Sequence, residues 1–466
     1  MAASAKAPRV TIVGGGMITR IQILPTIYHL QREGVVGDIH ICALEGGPLA
    51  EIRADETLRR GFPGQSFTPH PDPASPGAAR AGGSGESPPH PQPLSRPPIE
   101  TGGQAKGRGE NCAAAGPASQ RHAAAGKTYP DLYKKVLAAA PRGSIAVVAV
   151  PDHLHYPAVM EALANDLHVC CVKPLVLRHE QASEIGRAAH ERGLVVGVEY
   201  HKRFDHRSLM ARRHYRAGRL GRFRLGQAHL HEKWHYRGSN FQNWCTCENS
   251  DMFTYIGCHY VDLVAFITGL RPVSVSVYGI RDRYPNGNEG FLWTDARILW
   301  EGGACLSVAN AIGYPSAGAG GNSQGMTLWC QGKKDACLVF HSDQYRGVKY
   351  SLTEAGGDPG DTAYAEPNPD YYQLLDQGGG GLTPAGYGHR SVEYIINACR
   401  RAAAIKSVAK RRELLRRYDR EGILATPANS AYNELVIEAG RKSILAGGRE
   451  VAIDYGPPAE VKFREH

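Results

Sequence analysis

A single lysine closes the apolar, strand-forming run His168-Val169-Cys170-Cys171-Val172-Lys173-Pro174. An ammonium placed directly after buried residues demands an anionic or hydroxylic partner. Pro174 has a fixed φ and no N–H, so the strand ends there and Lys173 stands at its carboxyl edge. Open parallel α/β sheets bind their ligands at that edge. The competing reading is a lysine that snorkels to solvent at a strand end. A second constellation, Gly14-Gly15-Gly16-Met17-Ile18-Thr19, joins an expected first strand to a first helix. Gly14 permits a tight turn. Gly16 lets backbone approach a pyrophosphate at the helix N-terminus, which Met17 and Ile18 open, and N–H groups and the helix dipole favour anions there. Thr19 replaces the third glycine of the fingerprint and is expected to loosen the helix–strand contact slightly. Glu45 ends the second strand. A carboxylate there accepts hydrogen bonds from ribose hydroxyls and repels a 2′-phosphate, which favours NAD over NADP; its offset from Gly16 is longer than the usual spacing of about 20, and a plain surface glutamate is the alternative.

Pro151-Asp152-His153-Leu154-His155 follows the most apolar strand of this region. Its two histidines, His168 near Cys170 and Cys171, and the pair Cys245 and Cys247 all lack the paired spacing of a zinc site, so no metal is expected. Further on, Tyr255 and His259 are four residues apart and would share a helical face. Facing Lys173 across a cleft, they form a relay able to take a proton from an alcohol; an ordinary half-buried histidine is the plainer alternative. Between these lies a polar-aromatic stretch with Lys233, Trp234, Arg237, Asn240 and Trp244. Aromatic faces for sugar C–H surfaces, with amide and cationic donors for hydroxyls, suit a polyol pocket; a subunit-interface loop would use the same residues. The run Tyr200-His201-Lys202-Arg203-Phe204 carries charges that reach toward the cleft or toward a substrate phosphate.

The elements that must position these groups follow from pattern. Apolar strands near 9–13, 38–44, 144–150, 168–172 and 194–199 alternate with amphipathic helices through Glu33 and near 48–60, 156–165 and 180–192. That alternation argues for a parallel sheet covered on both faces. From about Tyr200, strand-like runs near 224–232, 273–280, 295–300, 304–311, 326–331 and 336–341 are separated by turns. They indicate a mostly antiparallel sheet, followed by helices at His389–Ile405 and Ala428–Leu445. The fold class expected is α/β: a Rossmann doubly wound parallel sheet plus an α+β domain with a large, mostly antiparallel open sheet. The boundaries expected are 1–199, 200–385 and 386–466, the last completing both domains. Residues 70–126, rich in Pro, Gly, Ser and Ala, read as a disordered surface insertion.

The chain has 466 residues, 42% hydrophobic and 21% charged, with a formal charge of +9. That length fits two domains. Basic clusters such as Lys410-Arg411-Arg412 lack interleaved aromatics and read as a solvated helix face, so no nucleic-acid partner is expected. No apolar run reaches 18 residues and no leader is apparent, so neither a membrane span nor secretion is expected. The 11 cysteines are scattered and mostly within apolar runs, which suits reduced thiols in a cytoplasmic protein.

Taken in order, Gly14-x-Gly16, Pro151-Asp152-x-x-His155, Lys173-Pro174 and Gly257-x-His259-x-x-Asp262 resemble the Gfo/Idh/MocA oxidoreductases, as does the closing stretch Glu438 to Val451. The resemblance spans nearly everything except 70–126. It implies an enzyme that uses NAD, with NADP as the alternative, to transfer hydride between nicotinamide and a hydroxyl/ketone pair of a sugar, inositol or related polyol. It maps the family lysine onto Lys173 and the catalytic histidine onto His259. It adds Pro151, His155, Lys173 and Pro174 to the cofactor site, Asp262 to the substrate site, and a homodimer or homotetramer as the assembly. Two departures stand out. The family glutamate before the lysine is Val172, and the aspartate four residues before the histidine is Tyr255. Tyr255, its pKa lowered by the Lys173 ammonium, is expected to replace that aspartate as proton donor or to line the pocket, with Asp251 one turn further back. Two other functions stay open: a glycoside-cleaving enzyme working by transient oxidation and elimination, and a non-catalytic sugar or dinucleotide sensor.

Overall fold

The computed structural model describes residues 7–72, 127–316, 322–342, 347–352, 362–367, 371–378 and 380–465. The expected low-complexity insertion lies, from residue 73 onward, outside the described residues. Six strands form a parallel sheet: β1 (Val10–Val13), β2 (Ile39–Cys42), β3 (Thr68–His70), β4 (Ile145–Val148), β5 (His168–Val172) and β6 (Val196–Glu199). Their spatial order is β3-β2-β1-β4-β5-β6. All four residues of β1, β4 and β6 are buried, as a sheet with helices on both faces requires. The covering helices are α1 (Leu24–Arg32), α2 (Gly47–Ala54), α3 (Glu56–Gly61), α4 (Leu132–Ala138), α5 (His155–Ala164) and α6 (His179–Arg192). The order reverses between β1 and β4. Chain direction makes the carboxyl ends of these two strands the walls of a crevice.

After α7 (His206–Arg216) come β7 (Arg222–Lys233), α8 (Phe241–Trp244) and α9 (Cys258–Thr268), then β8 (Pro272–Arg283), β9 (Glu289–Trp300), β10 (Ala304–Tyr314), β11 (Ser323–Gln331) and β12 (Ala336–Ser342). Two short ladders follow, β13 (Gly347–Leu352) with β14 (Thr362–Pro367), and β15 (Gln373–Asp376) with β16 (Leu382–Ala385). The chain ends in α10 (Tyr387–Ala403), α11 (Val408–Glu421), α12 (Pro427–Ser430), α13 (Tyr432–Leu445), β17 (Val451–Asp454) and β18 (Glu460–Phe463). The second sheet runs β12-β11-β7-β10-β9-β8-β17-β18. It is antiparallel except for the β7–β10 pair, which is parallel. One face packs on α9 and α13 through Val264, Val277, Ile298, Leu306 and Val436. The other exposes Tyr278, Ile280, Leu338 and Phe340.

The C-terminal segment serves both layers. Val392, Ile395 and Ile396 of α10 join the core of the parallel sheet, while α13 packs on β8. The helix expected over 428–445 is interrupted at Ala431, between α12 and α13. The basic run near 410 belongs to α11, whose N-cap Ser407 accepts from the Lys410 N–H and which buries only Leu415 and Tyr418. Among the described residues, no helix is long and apolar enough to cross a membrane.

Candidate active site

The β1–α1 turn is built by steric necessity. Gly14 has φ +121°, and a Cβ there would lie 2.0 Å from the Ala149 carbonyl oxygen at the end of β4. Gly16 faces open space, with no heavy atom within 4 Å of where its Cβ would be. Thr19 does not loosen this turn. Its Oγ1 donates to the Gly14 carbonyl at 2.8 Å, and the chain enters α1 through a π-helical turn, Thr19–Ile23, whose wider spiral accommodates the side chain. Three successive loops at this edge present exposed apolar side chains: Met17 (41% exposed), Leu44 (54%) and Leu154 (42%). Ile18 is half-buried beside them, and half-buried Glu45 follows Leu44 at the end of β2. An open glycine turn, flanking apolar surfaces and a carboxylate near β2 fit a dinucleotide: phosphate at the turn, flat rings on the apolar groups, ribose at Glu45.

His155 takes no direct part in that surface. It is fully buried, with Nδ1 against the Pro174 carbonyl at 2.8 Å and Nε2 against the Val150 carbonyl at 2.9 Å. It therefore clips the loop after β4, which contains Pro151, to the loop after β5. Pro174 is buried as well. His155 thereby fixes the loop that carries Lys173 and Pro174.

Lys173 donates its Nζ to the Tyr255 carbonyl, and the ammonium stands 3.8 Å from the centre of the Tyr255 ring. Backbone oxygen and aromatic face thus take the place of the absent glutamate. This geometry corrects the expectation for the Tyr255 hydroxyl. Burial pushes its pKa well up, and Glu232 and Asp152 push it in the same direction. Tyr255 belongs to a second π-helical turn, Phe253–Gly257, that precedes α9. The wider turn breaks the simple four-residue register with His259. Gly257 is required there, since a Cβ would lie 2.6 Å from Asn310 Oδ1 on β10. Asp251 does not replace the missing aspartate: it pairs with Arg441 at 3.0 Å and accepts from Thr254.

His259 is 5% exposed, and its Nδ1 has no hydrogen-bond partner among the described residues. Burial lowers its pKa well below the ordinary value, with Lys173, His201 and Lys202 adding to the effect. The ring is therefore neutral at neutral pH, the form that accepts a proton. Two carboxyl groups complete the surroundings of Lys173. Burial raises buried Asp152 to about 7 against the opposing pull of Lys173. Half-buried Glu232 is raised to about 7 in the same way. Neither carries a role in the sequence reading. The available signal was position: Asp152 follows Pro151 at the carboxyl edge of β4, and Glu232 stands one residue from the end of β7.

The polar-aromatic stretch divides. Trp244 stacks on Phe241, with ring centres 5.3 Å apart, and meets Tyr255 edge-on at 5.6 Å, so it extends the wall behind Lys173. Trp234 and Asn240 are exposed. Lys233 and Arg237 are both tied to protein partners, although Arg237 Nη2 has no hydrogen-bond partner among the described residues. Lys233 Nζ holds the Pro315 and Ser316 carbonyls at 3.3 Å. Arg237 donates to Ile312 O and Asp282, with Trp234 stacked on it at 3.6 Å. Asp262 is likewise withdrawn: its oxygens take buried Arg203 at 2.6 and 2.8 Å and half-buried Tyr432 at 2.9 Å. The same cluster removes Arg203 from any substrate phosphate. Among the described residues, no group of three or more His, Cys, Asp or Glu could hold a metal ion.

Comparison with known proteins agrees with this architecture. A family model described as "Oxidoreductase family, NAD-binding Rossmann fold" matches residues 105–200, and the GFO/IDH/MocA C-terminal domain model matches 208–312. The chain belongs to the Gfo/Idh/MocA family. Its similarity to curated members is partial. It is 29% identical over 135 residues to the uncharacterized oxidoreductase C115.03 of Schizosaccharomyces pombe, covering 28% of this chain and 36% of that protein. It is 23% identical over 242 residues to the scyllo-inositol 2-dehydrogenase (NADP(+)) IolW of Bacillus subtilis, covering 50% and 61%. The chain thus spans between about a third and three-fifths of the length of these relatives. Among solved structures, GenD2 from gentamicin A biosynthesis, in complex with NAD, aligns with a TM-score of 0.56 at 16% identity, over 97% of this chain and 98% of that one. The scyllo-inositol dehydrogenase of Lactobacillus casei with bound NAD(H) and scyllo-inositol aligns at 0.54 and 12%, over 96% and 99%. At these identities the structural likeness concerns the fold. The residues of the β1–α1 turn described above fit an NAD pyrophosphate.

Proposed function

We propose that this Gfo/Idh/MocA protein oxidises or reduces a hydroxyl/ketone pair on an uncharged sugar, inositol or related polyol, with NAD as the preferred cofactor. The observation that carries the reading is Lys173 at the carboxyl edge of the parallel sheet, held on the carbonyl and ring of Tyr255, with buried His259 four residues further on. Bound nicotinamide supplies hydride exchange at its ring carbon. Lys173 orients the substrate hydroxyl and stabilises the alkoxide that develops in oxidation. Neutral His259 accepts the hydroxyl proton, and returns it in reduction. His155 holds the Pro174 carbonyl and so fixes where Lys173 can reach. Glu45 supports NAD over NADP by charge. The commitment of Lys233 and Arg203 to protein partners supports the uncharged class. For the assembly we propose a homodimer or homotetramer, supported by the apolar outer face of the large sheet.

One observation favours a second reading. Asp152 and Glu232, both raised to about 7 beside Lys173, are suited to exchange protons near neutrality. Such a pair serves an elimination after transient oxidation, as in glycoside cleavage. Titration with NAD and NADP, followed by assay on inositols, neutral hexoses and glycosides, tests both readings. Net NADH with a polyol supports the first. Sugar release without net NADH supports the second. Absence of dinucleotide binding would overturn both.

A further inference from the structure

His259 is not the last group in the line. Its ring lies 4.4 Å, centre to centre, from that of His201, tilted by 38°, a ring contact with no hydrogen bond to His259 Nδ1 among the described residues. His201 follows β6 and is half-buried under Tyr371 and Tyr387, whose rings are 5.1 and 5.4 Å away. Its Nδ1 faces Glu199 Oε2 at 3.2 Å. Glu199 is only 4% exposed, and its other oxygen accepts from Gln22 Nε2 at 2.9 Å and from Ser391 Oγ. Gln22 is fixed in turn by the Gly388 carbonyl and by the Tyr371 hydroxyl. One carboxylate oxygen is thus anchored by two neutral donors from α10 and the π turn, and the second is aimed at an imidazole. A carboxylate only accepts, so His201 Nδ1 must donate, which leaves the lone pair on Nε2.

We propose that His201, held in this tautomer by Glu199, receives the hydroxyl proton from His259 and passes it to solvent. The inference rests on the dehydrogenase reading above. In oxidation the substrate C–H bond breaks with both electrons leaving as hydride to nicotinamide, and the O–H proton moves to His259, then through one intervening water to His201 Nε2, then to solvent. In reduction every transfer runs backward. The physical reason is charge. A proton left on His259 sits among Lys173, Lys202 and His201, whereas the same proton on His201 forms an ion pair with Glu199, a charge-assisted hydrogen bond about twice as strong as a neutral one. The rings of Tyr371 and Tyr387 also pack against His201. Glu199 acts through His201 and is a positioning residue.

The test has two arms on the full-length protein. First, ¹⁵N–¹H long-range correlation of labelled enzyme, without substrate, assigns the tautomer. His201 is expected to carry its proton on Nδ1 in the wild type and to lose that preference in Glu199→Gln. A wild-type proton on Nε2 would overturn the relay whatever the substrate. Second, with a polyol that the wild type oxidises, His201→Gln is expected to cut kcat by about 10²-fold, raise the solvent isotope effect, and recover with added imidazole, while NAD affinity stays unchanged. Glu199→Gln should shift the solvent isotope effect in the same direction with a smaller loss. If His201→Gln fails to fold, Glu199→Gln alone decides: an unchanged kcat and isotope effect contradict the relay. A wild type inactive on every polyol would overturn the dehydrogenase reading itself, an outcome distinct from an active enzyme indifferent to His201.

Discussion

Tyr255 shows most directly what a single residue contributes. Its ring holds the Lys173 ammonium and its carbonyl takes the Lys173 proton donor, while its hydroxyl is held protonated by burial. Tyr255→Phe keeps ring and carbonyl and is expected to leave turnover within about tenfold of wild type. Loss of a true proton donor would cost about 10²–10⁴-fold, so steady-state kinetics of this variant separates the two roles. The sequence offered Lys173 and His259 because strand-end position and order along the chain are readable. It could not offer the Tyr255 geometry, because a π-helical turn leaves no periodic signature in a run such as Phe253-Thr254-Tyr255-Ile256-Gly257. Nor could it reveal that Lys233, Arg237 and Asp262 are occupied: their types suit a polyol, and only tertiary contacts show whom they serve.

Among the elements, the glycine turn and the buried cluster on α9 carry opposite lessons. The parallel sheet was legible from its continuous apolar strands, and β1, β2, β4, β5 and β6 lie within the expected runs. The short edge strand β3, with Pro69 at its centre, was not; three residues are too few to show a period. At the turn, Gly14→Ala places a methyl group against the Ala149 carbonyl at φ +121°. It should destabilise the protein by about 2–4 kcal/mol and abolish NAD binding, measured by urea unfolding and calorimetry. On α9, Asp262→Ala leaves the Arg203 guanidinium buried with Tyr432 and carbonyl partners only. A loss of about 3–5 kcal/mol is expected, with KM for a polyol unchanged in the fraction that folds. A raised KM with unaltered stability would return Asp262 to the substrate site.

At the scale of the whole molecule, buried titratable groups set how stability varies with pH. Asp152 and Glu232 bind protons in the folded state up to about 7, and Glu434 up to about 8; the unfolded chain releases them near 4. Their stabilising protons are fully present at low pH and are lost as pH rises through the folded values. Buried His155, His168 and His259 have lowered pKa values and act oppositely, but only below their unfolded value near 6.5. Above pH 6.5 the carboxyl groups dominate, so Tm is expected to fall between about pH 6.5 and 8.5. Glu434 is fully buried near the backbone N–H groups of Leu175 and Val176, yet outside hydrogen-bond geometry. Glu434→Gln should flatten that slope, its stabilising effect growing by about 1.4 kcal/mol per pH unit between pH 6 and 8; a parallel displacement of the whole Tm curve would assign the slope elsewhere.

The central claim is that Lys173 acts on the substrate hydroxyl in a site where NAD binds independently of it. Lys173→Ala, titrated with NAD by calorimetry and assayed for NADH with a polyol the wild type oxidises, measures both halves together. The expected result is an NAD affinity within about threefold of wild type and turnover reduced by about 10³-fold or more. Equal turnover in the variant would contradict the account.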